Sequence, residues 1–530
     1  MTVYMKKIFY LLIVSLTFCL SSCKKLLETT PTDFLSPVNY YDTEVQLNYA
    51  LNGVYDILGQ RGVYGDALIS RMGTEADEGF YAVTTFNGPQ IYNHSTSDTY
   101  VTTLWQLLYS GINRANVLIE NINKPVMDEN KRTVILGQAK FLRAYYYFLL
   151  VSNWGDVPLV MNATASASNT SIARTPAVDV YNTIISEMTA AEGMVETATK
   201  VGFGGRINRS AIDGVLARVC LYMAGNPIKD VTKYREAQAW SLKIINSGEH
   251  SLNPSFQQVF INYSQDLYDI RESIWEVEFW GNTAGIYREG GRVGINTGVA
   301  NSWTTANTVG YVYGFIQTTA RLFNSYTSTD LRRDWAIAPW RFVTQGTVRQ
   351  NWTATQIYER YCGKWRREYE LVTPKSTNDS PENFPLLRYA DVLLMYAEAE
   401  NQVNGPTAAA YNAINQVRRR AYGKLIAGAT NLTAGDVPAG LGQAAFADYI
   451  KAERSRELCF EGLRKPDLIR WGILGSTMKA VAAEISTGAP AVLKYAATAG
   501  NNITEPRHLL LPVPAYELGV NPLLTQNINW

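Results

Sequence analysis

The fold of this chain is constrained most by a helical hairpin pattern that occurs twice. Residues 211–245 carry two helical runs separated by Gly-Asn-Pro at 225–227, and residues 386–421 carry two separated by Asn-Gly-Pro at 404–406. The pattern is similar to tetratricopeptide units of about 34 residues, which bury their apolar faces by stacking on neighbouring units. At least three units are needed for stability, so the sequence predicts a mostly α-helical fold built on a scaffold of tetratricopeptide-like hairpins.

Three further stretches show helical periodicity and are candidates for the remaining hairpins. Between 102 and 122, leucine and isoleucine recur at spacings of three and four residues, as on one face of an amphipathic helix. Residues 133–151 are apolar or aromatic nearly all round, as expected of a helix buried between other helices. Together with 181–196, these stretches extend the predicted scaffold to about residues 100–250 and 386–475.

Two irregular insertions interrupt the helical pattern. At about residues 250–385, Gly, Asn, Thr, Trp and Tyr dominate, with short alternating runs such as 273–279, which indicates loops and short strands. A similar stretch lies at about residues 61–98. Binding residues usually lie on loops that a rigid scaffold positions, so we expect ligand binding in these large irregular insertions.

The N-terminus carries an export signal. Two lysines precede an apolar run at 8–20, and Leu-Ser-Ser-Cys ends at Cys23, which is the pattern of a bacterial lipoprotein signal. The run is about thirteen residues long, too short to cross a hydrocarbon core about 30 Å thick. We predict that 1–22 is a lipoprotein signal peptide and that Cys23 is lipidated, with acyl chains that anchor a single domain, 23–530, to a membrane. An ordinary signal peptide with an incidental cysteine is the alternative.

Composition argues against several classes of function. The net charge is +1, with 48 basic and 47 acidic residues, so nothing favours nucleic acid as a partner. The three histidines form no zinc-binding spacing with each other or with cysteine, and no metal is predicted. The glycine-rich stretches 202–205 and 290–294 lack the Lys-Ser/Thr of a phosphate loop, and no cofactor is predicted.

A catalytic function would depend on the carboxylates of Glu75, Asp77 and Glu78. Glycosidases need two carboxyl groups about 5 to 9 Å apart, which such a cluster can supply. An acidic loop that binds sugar hydroxyls or an ion explains these residues better, and plain solvated charge better still. We therefore predict that the protein is not an enzyme.

Five ordered motifs lie at 23–31, at 137–148 with 154–159, at 387–399, at 454–462 with 467–472, and at 511–514 with 521–527. Through these motifs the chain resembles the SusD/RagB family, the surface glycan-binding lipoproteins that pair with TonB-dependent outer-membrane transporters. The resemblance covers essentially the whole mature chain. One departure is Lys-Pro at 465–466, where the family usually continues with a basic residue and an aromatic.

The resemblance implies a SusD-like fold with four tetratricopeptide-like hairpins and a lipid anchor in the outer membrane, facing the cell exterior. It implies an oligosaccharide or polysaccharide ligand that is delivered to a SusC-like TonB-dependent transporter. Two alternatives stay open: a structural lid of the transporter that binds a non-glycan nutrient, and a surface glycosidase. The charged residues of the motifs are expected to form ion pairs of the scaffold: Arg388, Arg456, Glu457, Glu461 and Arg470.

The resemblance indicates the region of the ligand site, the two insertions, but not its residues. Flat amphipathic rings suit sugars, and the chain has 33 Tyr, 17 Phe and 12 Trp. We predict platform rings among Tyr81, Phe86 and Tyr92 in the first insertion and Trp280, Tyr287, Trp303, Tyr311 and Tyr313 in the second. Hydrogen bonds to sugar hydroxyls are expected from Arg71, Glu75, Asn87 and Arg292.

Overall fold

The computed structural model describes most of the chain after the N-terminal region. The described residues are 4, 40–72, 76–84, 87–164, 171–281, 290–303, 309–344 and 346–530. The predicted signal peptide and Cys23 lie outside them, as do Glu75, Phe86 and Tyr287.

The described chain is mostly α-helical, which confirms the predicted fold class. The helices are α1 (Glu44–Gly59), α2 (Ala67–Ser70), α3 (Thr99–Asn121), α4 (Glu129–Trp154), α5 (Ala177–Glu192), α6 (Ala198–Val201), α7 (Arg209–Ala224), α8 (Lys233–Ser247), α9 (Phe256–Gln265), α10 (Val293–Thr297), α11 (Ala320–Ser325), α12 (Arg333–Ala336), α13 (Tyr389–Asn404), α14 (Ala408–Ala421), α15 (Gln443–Leu458), α16 (Arg464–Arg470), α17 (Leu474–Gly488), α18 (Thr498–Asn502) and α19 (Ala515–Val520). The strands are β1 (Gly79–Tyr81), β2 (Ser273–Val277), β3 (Ile316–Thr318), β4 (Trp340–Val343), β5 (Val348–Asn351) and β6 (Phe384–Arg388).

The two hairpin copies are α7–α8 and α13–α14, and they pack directly on each other. Helix α8 contacts α13, where the Gln238 amide donates to the Glu400 carboxylate and Thr407 Oγ1 donates to the same carboxylate at 2.8 Å. Helices α3, α4 and α5 continue the stack toward α7. The irregular insertion of residues 250–385 therefore begins and ends at one continuous helical scaffold.

Local chemistry sets the helix ends. The Asp98 carboxylate accepts hydrogen bonds from the backbone N–H groups of Tyr100 and Val101 at 2.9 and 3.1 Å and so starts α3. The Asn208 side chain caps α7 in the same way. Helix α13 ends at Gly405, whose φ of 80° is readily adopted only by glycine.

Helix α4 lies at the centre of the scaffold, as its sequence predicts. Its C-terminal half is buried on all sides, including Tyr145, Tyr146 and Tyr147. Helix α3 approaches closely because Gly111 has no side chain: a Cβ there would lie 2.6 Å from the Tyr146 ring. The Tyr146 hydroxyl donates to the Val54 carbonyl, which satisfies its polar atom inside the core.

A buried ion-pair network ties the second insertion to the scaffold. Arg388 contacts Glu457 at 3.1 Å and Glu461 at 2.8 Å, and Glu457 also pairs with Arg332 at 3.0 Å and with Arg420 at 2.6 Å. These residues come from β6, α14, α15 and the segments next to them. The predicted scaffold role of Arg388, Glu457 and Glu461 is confirmed.

The other two motif arginines also form ion pairs. Arg470 of α16 pairs with Glu398 of α13, as predicted. Arg456 pairs with Glu453 on its own helix at 2.7 Å and donates to the Ser325 carbonyl of α11 at 3.2 Å. Its helix-to-helix contact is therefore a hydrogen bond.

The two insertions meet in a two-stranded antiparallel sheet. Strand β1 of the first insertion pairs with β3 of the second, with Phe80 opposite Gln317. Thr319 Oγ1 donates to the Asp77 carbonyl at 2.6 Å next to this sheet. Strand β2 pairs with β6, and β4 pairs with β5. Strand pairing therefore brings the two predicted ligand-binding segments together.

Candidate functional site

Four aromatic rings form a continuous series where the insertions meet, and we call this series the aromatic ladder. The Tyr81 and Phe315 ring centroids are 5.2 Å apart, those of Phe315 and Tyr313 are 4.9 Å apart, and those of Tyr313 and Tyr311 are 4.8 Å apart. Two predicted platform rings of the second insertion, Tyr311 and Tyr313, thus contact each other, and Tyr81 of the first joins them through Phe315.

The backbone holds the ladder in place. Tyr313 N–H donates to the Ile295 carbonyl at 2.8 Å and Phe315 N–H donates to the Asn296 carbonyl at 2.7 Å, so the ladder segment is anchored along α10. On its other side, Ala82 N–H donates to the Phe315 carbonyl at 2.7 Å. A site positioned by such backbone bonds keeps its rings in a fixed arrangement.

Exposure increases along the ladder from Tyr81 to Tyr313 and is lower again at Tyr311. Tyr81 is buried, Phe315 and Tyr311 are half-buried, and 41% of Tyr313 is accessible. Because aromatic rings are normally buried, a fixed and exposed ring next to a polar loop region is a candidate contact for a ligand.

Arg71 lies against the buried end of the ladder. Its guanidinium carbon is 4.8 Å from the Tyr81 ring centroid, 4.9 Å from that of Phe315 and 5.5 Å from that of Tyr100. Burial lowers the pKa of Arg71, and the positive charge of Arg292 also lowers it. Arg292 directly precedes α10, and its N–H donates to the Gly65 carbonyl of the first insertion at 2.8 Å. The structure thus brings Arg71 and Arg292 together at the ladder.

The two predicted tryptophans are exposed near this region. Trp303 is 44% accessible, and its N–H donates to Asn301 Oδ1 at 3.3 Å; Asn301 forms a backbone bridge with Val312 of the ladder segment. Trp280 is 39% accessible and follows Phe279, which packs on Gly291 beside Arg292. The described contacts join neither indole ring to the ladder rings.

Two predicted residues make no described contact with the ladder rings. Tyr92 is buried in a small core with its ring 5.4 Å from His508 and 5.2 Å from the Lys465 ammonium. Asn87 is exposed and accepts a hydrogen bond from the Asn93 amide at 3.0 Å. We therefore omit the buried Tyr92 from the site, whereas Asn87 stays a prediction.

Sequence analysis missed two aromatic residues of the site, Phe315 and Tyr100. Tyr311, Tyr313 and Phe315 follow each other at a spacing of two, which is the side-chain period of an extended strand. That spacing was the available signal for Phe315. Tyr100 lies in α3 and carries no such pattern.

Two of the three carboxylates considered for catalysis, Asp77 and Glu78, are structural. Asp77 pairs with Arg464 at 2.6 Å, and Glu78 accepts the Phe460 N–H at 2.8 Å. Both are buried, and burial raises the pKa of Glu78 to about 8. The expectation of plain solvated charge was wrong for both residues, because the β1–β3 sheet and the turn after α15 enclose them.

A metal site and an interior cavity are the two other kinds of candidate site. No group of three potential metal-ligating side chains occurs in the part of the chain that the structure describes. A cavity of about 300 Å³ lies inside the helical scaffold and includes Tyr64, Tyr145, Phe148 and Tyr222 in its wall. Its wall is mostly apolar, whereas a sugar needs hydrogen-bond partners for its hydroxyl groups. We therefore place the candidate site at the ladder.

Comparisons with known proteins agree with the fold. A model described as the SusD family matches residues 338–530, and a model described as starch-binding associating with outer membrane matches residues 26–221. A SusD homolog from Bacteroides thetaiotaomicron has a TM-score of 0.87 and 28% identity, covering 93% of this chain and 98% of that chain. The chain belongs to the SusD/RagB family.

Other members of the SusD/RagB family are similar over nearly the whole chain. SusD-like protein P25 of Formosa agariphila is 26% identical, covering 97% of each chain. Surface glycan-binding protein A from Bacteroides fluxus has a TM-score of 0.70 at 23% identity, covering 92% of this chain and all of that chain. In this SusD/RagB member, the ladder segment at 311–315 lies between the two ranges that the family models match. Within the described residues, no helix is both long and apolar enough to cross a membrane.

Proposed function

We propose that the protein captures an oligosaccharide or polysaccharide on the aromatic ladder and delivers it to a SusC-like TonB-dependent transporter. Lipid at Cys23 anchors it to the outer membrane, with the binding face toward the cell exterior. Ligand is bound and released unchanged.

The observation that carries the proposal is the contact series from Tyr81 through Phe315 and Tyr313 to Tyr311. Sugar rings have apolar C–H faces, which stack on aromatic rings, and hydroxyl edges, which need hydrogen bonds. The half-buried Arg292 beside the ladder can supply donors for such hydroxyls. A surface glycan-binding protein among the similar structures supports the same class of ligand.

The carboxylate arrangement supports binding without turnover. A glycosidase needs an acid and a second carboxyl group on either side of the scissile bond. Asp77 is held by Arg464, and Glu78 is buried against the Phe460 backbone. Neither carboxylate is available to a sugar on the ladder.

The test is affinity electrophoresis of the soluble form beginning at Lys24 through gels that contain plant, host and microbial polysaccharides. We expect one polymer to retard the wild type and Tyr313→Ala to lose about fivefold to tenfold in affinity. Tyr516→Ala is the matched control, because Tyr516 is 64% exposed on α19, a different element. Equal retardation of the Tyr313 variant and the wild type would rule out the ladder.

Two further measurements test the rest of the proposal. Product analysis of the same gel samples should find no new reducing ends, and released sugar would show a glycosidase. Affinity purification of the full-length lipoprotein from outer membranes should recover a TonB-dependent barrel. Recovery of a barrel without any polysaccharide affinity would favour the structural lid.

A further inference from the structure

The hairpin formed by β4 and β5 has an inner and an outer face. Arg341 lies opposite Gln350, and Phe342 lies opposite Arg349, so successive side chains alternate between the two faces. Phe342 packs inward in a small apolar cluster that includes Val299. Arg341 and Gln350 lie on the outer face, and both are exposed.

Arg341 is held in a defined geometry on this outer face. Its Nε and Nη2 donate to Gln350 Oε1 at 3.0 and 2.8 Å, and its guanidinium carbon is 4.9 Å from the Trp352 ring centroid. Among the residues that the structure describes, no carboxylate lies within ion-pair distance of Arg341, and its Nη1 has no hydrogen-bond partner. A guanidinium positioned in advance loses little conformational entropy when it binds an oxyanion.

The other arginine of the hairpin is already neutralised. Arg349 pairs with Glu368 and stacks over Trp340 at 4.2 Å. The two arginines thus share one hairpin and both stack on tryptophan, but only Arg349 has a carboxylate partner. This difference makes Arg349 a matched control.

The hairpin adjoins the ladder on two sides. A Cβ at Gly346 would lie 2.4 Å from Oδ1 of Asn301, whose backbone is bridged to the ladder segment. On the other side, Gln317 lies two residues after the ladder and is bridged to Tyr361. Tyr361 packs in the same apolar cluster as Trp340 and Phe342 of the hairpin. A polymer on the ladder can therefore extend over the hairpin.

Within the described residues, Arg292 carries an uncompensated positive charge near the ladder. Burial and the charge of Arg292 lower the pKa of the neighbouring Arg71, whereas Asp66 raises it. Arg292 has no carboxylate within ion-pair distance anywhere in the described ranges. An anionic ligand could pair with Arg292, whereas a neutral ligand would leave its charge uncompensated.

We propose that the outer face of the β4–β5 hairpin is a subsite for an acidic substituent of the bound polysaccharide, a carboxylate or a sulfate ester, which Arg341 contacts. The inference rests on the proposed function and narrows its ligand to acidic polysaccharides.

The test compares wild type, Arg341→Gln and Arg349→Gln by affinity electrophoresis at low and high salt. The gels contain polygalacturonate for carboxylate, carrageenan for sulfate ester, or a neutral β-glucan. We expect salt-sensitive retardation of the wild type by one acidic polymer. Arg341→Gln should lose about tenfold in affinity for that polymer, because a charge-assisted hydrogen bond is removed. Arg349→Gln should retain wild-type affinity.

Three other outcomes would overturn the subsite. Equal affinity of Arg341→Gln and wild type for the acidic polymer would overturn the subsite. Retardation by the neutral glucan alone would overturn it and leave the proposed function standing. Retardation by none of these three polymers would also overturn it, whereas failure of the proposed function requires no retardation across the wider polysaccharide panel. Arg341→Lys keeps the charge but loses the guanidinium that Gln350 and Trp352 hold, so it should recover only part of the affinity that Arg341→Gln loses.

Discussion

The Tyr313 ring stacks on the Phe315 ring with their centroids 4.9 Å apart and 20° between their planes. Phe315 is fixed by backbone bonds to Asn296 and Ala82, and it holds the more exposed Tyr313 in a set orientation. A ligand that stacks on Tyr313 therefore meets a ring that is already ordered, so binding loses little side-chain conformational entropy.

The double variant Trp280→Ala and Trp303→Ala should bind polysaccharide about fivefold to tenfold more weakly, because each indole offers an exposed stacking face in the second insertion. The melting temperature should change little, since both rings are exposed. Affinity electrophoresis and thermal unfolding measure the two effects. Tyr49→Ala, on the exposed face of α1, is the control. Unchanged affinity in the double variant would remove both tryptophans from the site.

The scaffold was predictable from sequence, whereas only part of the site was. Helical periodicity is local, so the runs at 211–245 and 386–421 gave two hairpins, although residues 386–388 belong to β6 and the helix begins at Tyr389. The site depends on pairing between β1 and β3, which come from distant parts of the chain. No local pattern encodes that pairing. The burial of Tyr92 could not be predicted from local sequence either, because it depends on His508 near the other end of the chain.

Glu457→Gln should lower the free energy of unfolding by about 3 to 5 kcal/mol, because it leaves buried cations without full compensation. Glu457 is fully buried and pairs with Arg332, Arg388 and Arg420. Urea unfolding at pH 7 measures the change. Glu484→Gln removes the exposed pair with Arg321 and should cost less than about 1 kcal/mol. Equal costs in the two variants would contradict a stabilising role for the network.

Acid should destabilise the wild type because Glu457 becomes protonated. Burial alone would raise the pKa of Glu457, but the charges of Arg420, Arg388 and Arg332 outweigh it and lower the pKa from 4.5 to about 2. A lowered pKa in the folded state gives stability that is present above pH 4.5 and lost as the pH falls toward 2. The loss from Glu457 is about 3 kcal/mol. Glu457→Gln should therefore have a shallower stability profile than wild type in this range.

Glu382→Gln should stabilise the folded protein at high pH. Burial raises the pKa of Glu382 from 4.5 to about 8, and the negative charge of Glu370 adds to the increase. A raised carboxyl pKa gives stability that is present below pH 4.5 and lost as the pH rises to 8, by at most about 5 kcal/mol. The glutamine keeps an acceptor for Ser264 and does not ionise. The variant should be more stable than wild type above pH 8, as measured by urea unfolding from pH 5 to 9. Parallel profiles would contradict this.

Gly294→Ala should damage both stability and binding. A Cβ at Gly294 would lie 1.4 Å from Oε2 of the buried Glu382, so α10 must shift. Overpacking of this kind costs about 1 to 3 kcal/mol. Because α10 carries the carbonyls that accept from Tyr313 and Phe315, the ladder should shift with it and polysaccharide affinity should fall.

Gly193→Ala is the matched control for Gly294→Ala. A Cβ at Gly193 meets no atom within 4 Å, and its φ of −75° suits alanine. This variant should stay within about 0.5 kcal/mol of wild type and bind normally. Thermal unfolding and affinity electrophoresis on both variants separate the outcomes. A Gly294 variant that is destabilised but binds with wild-type affinity would show that α10 does not position the ladder.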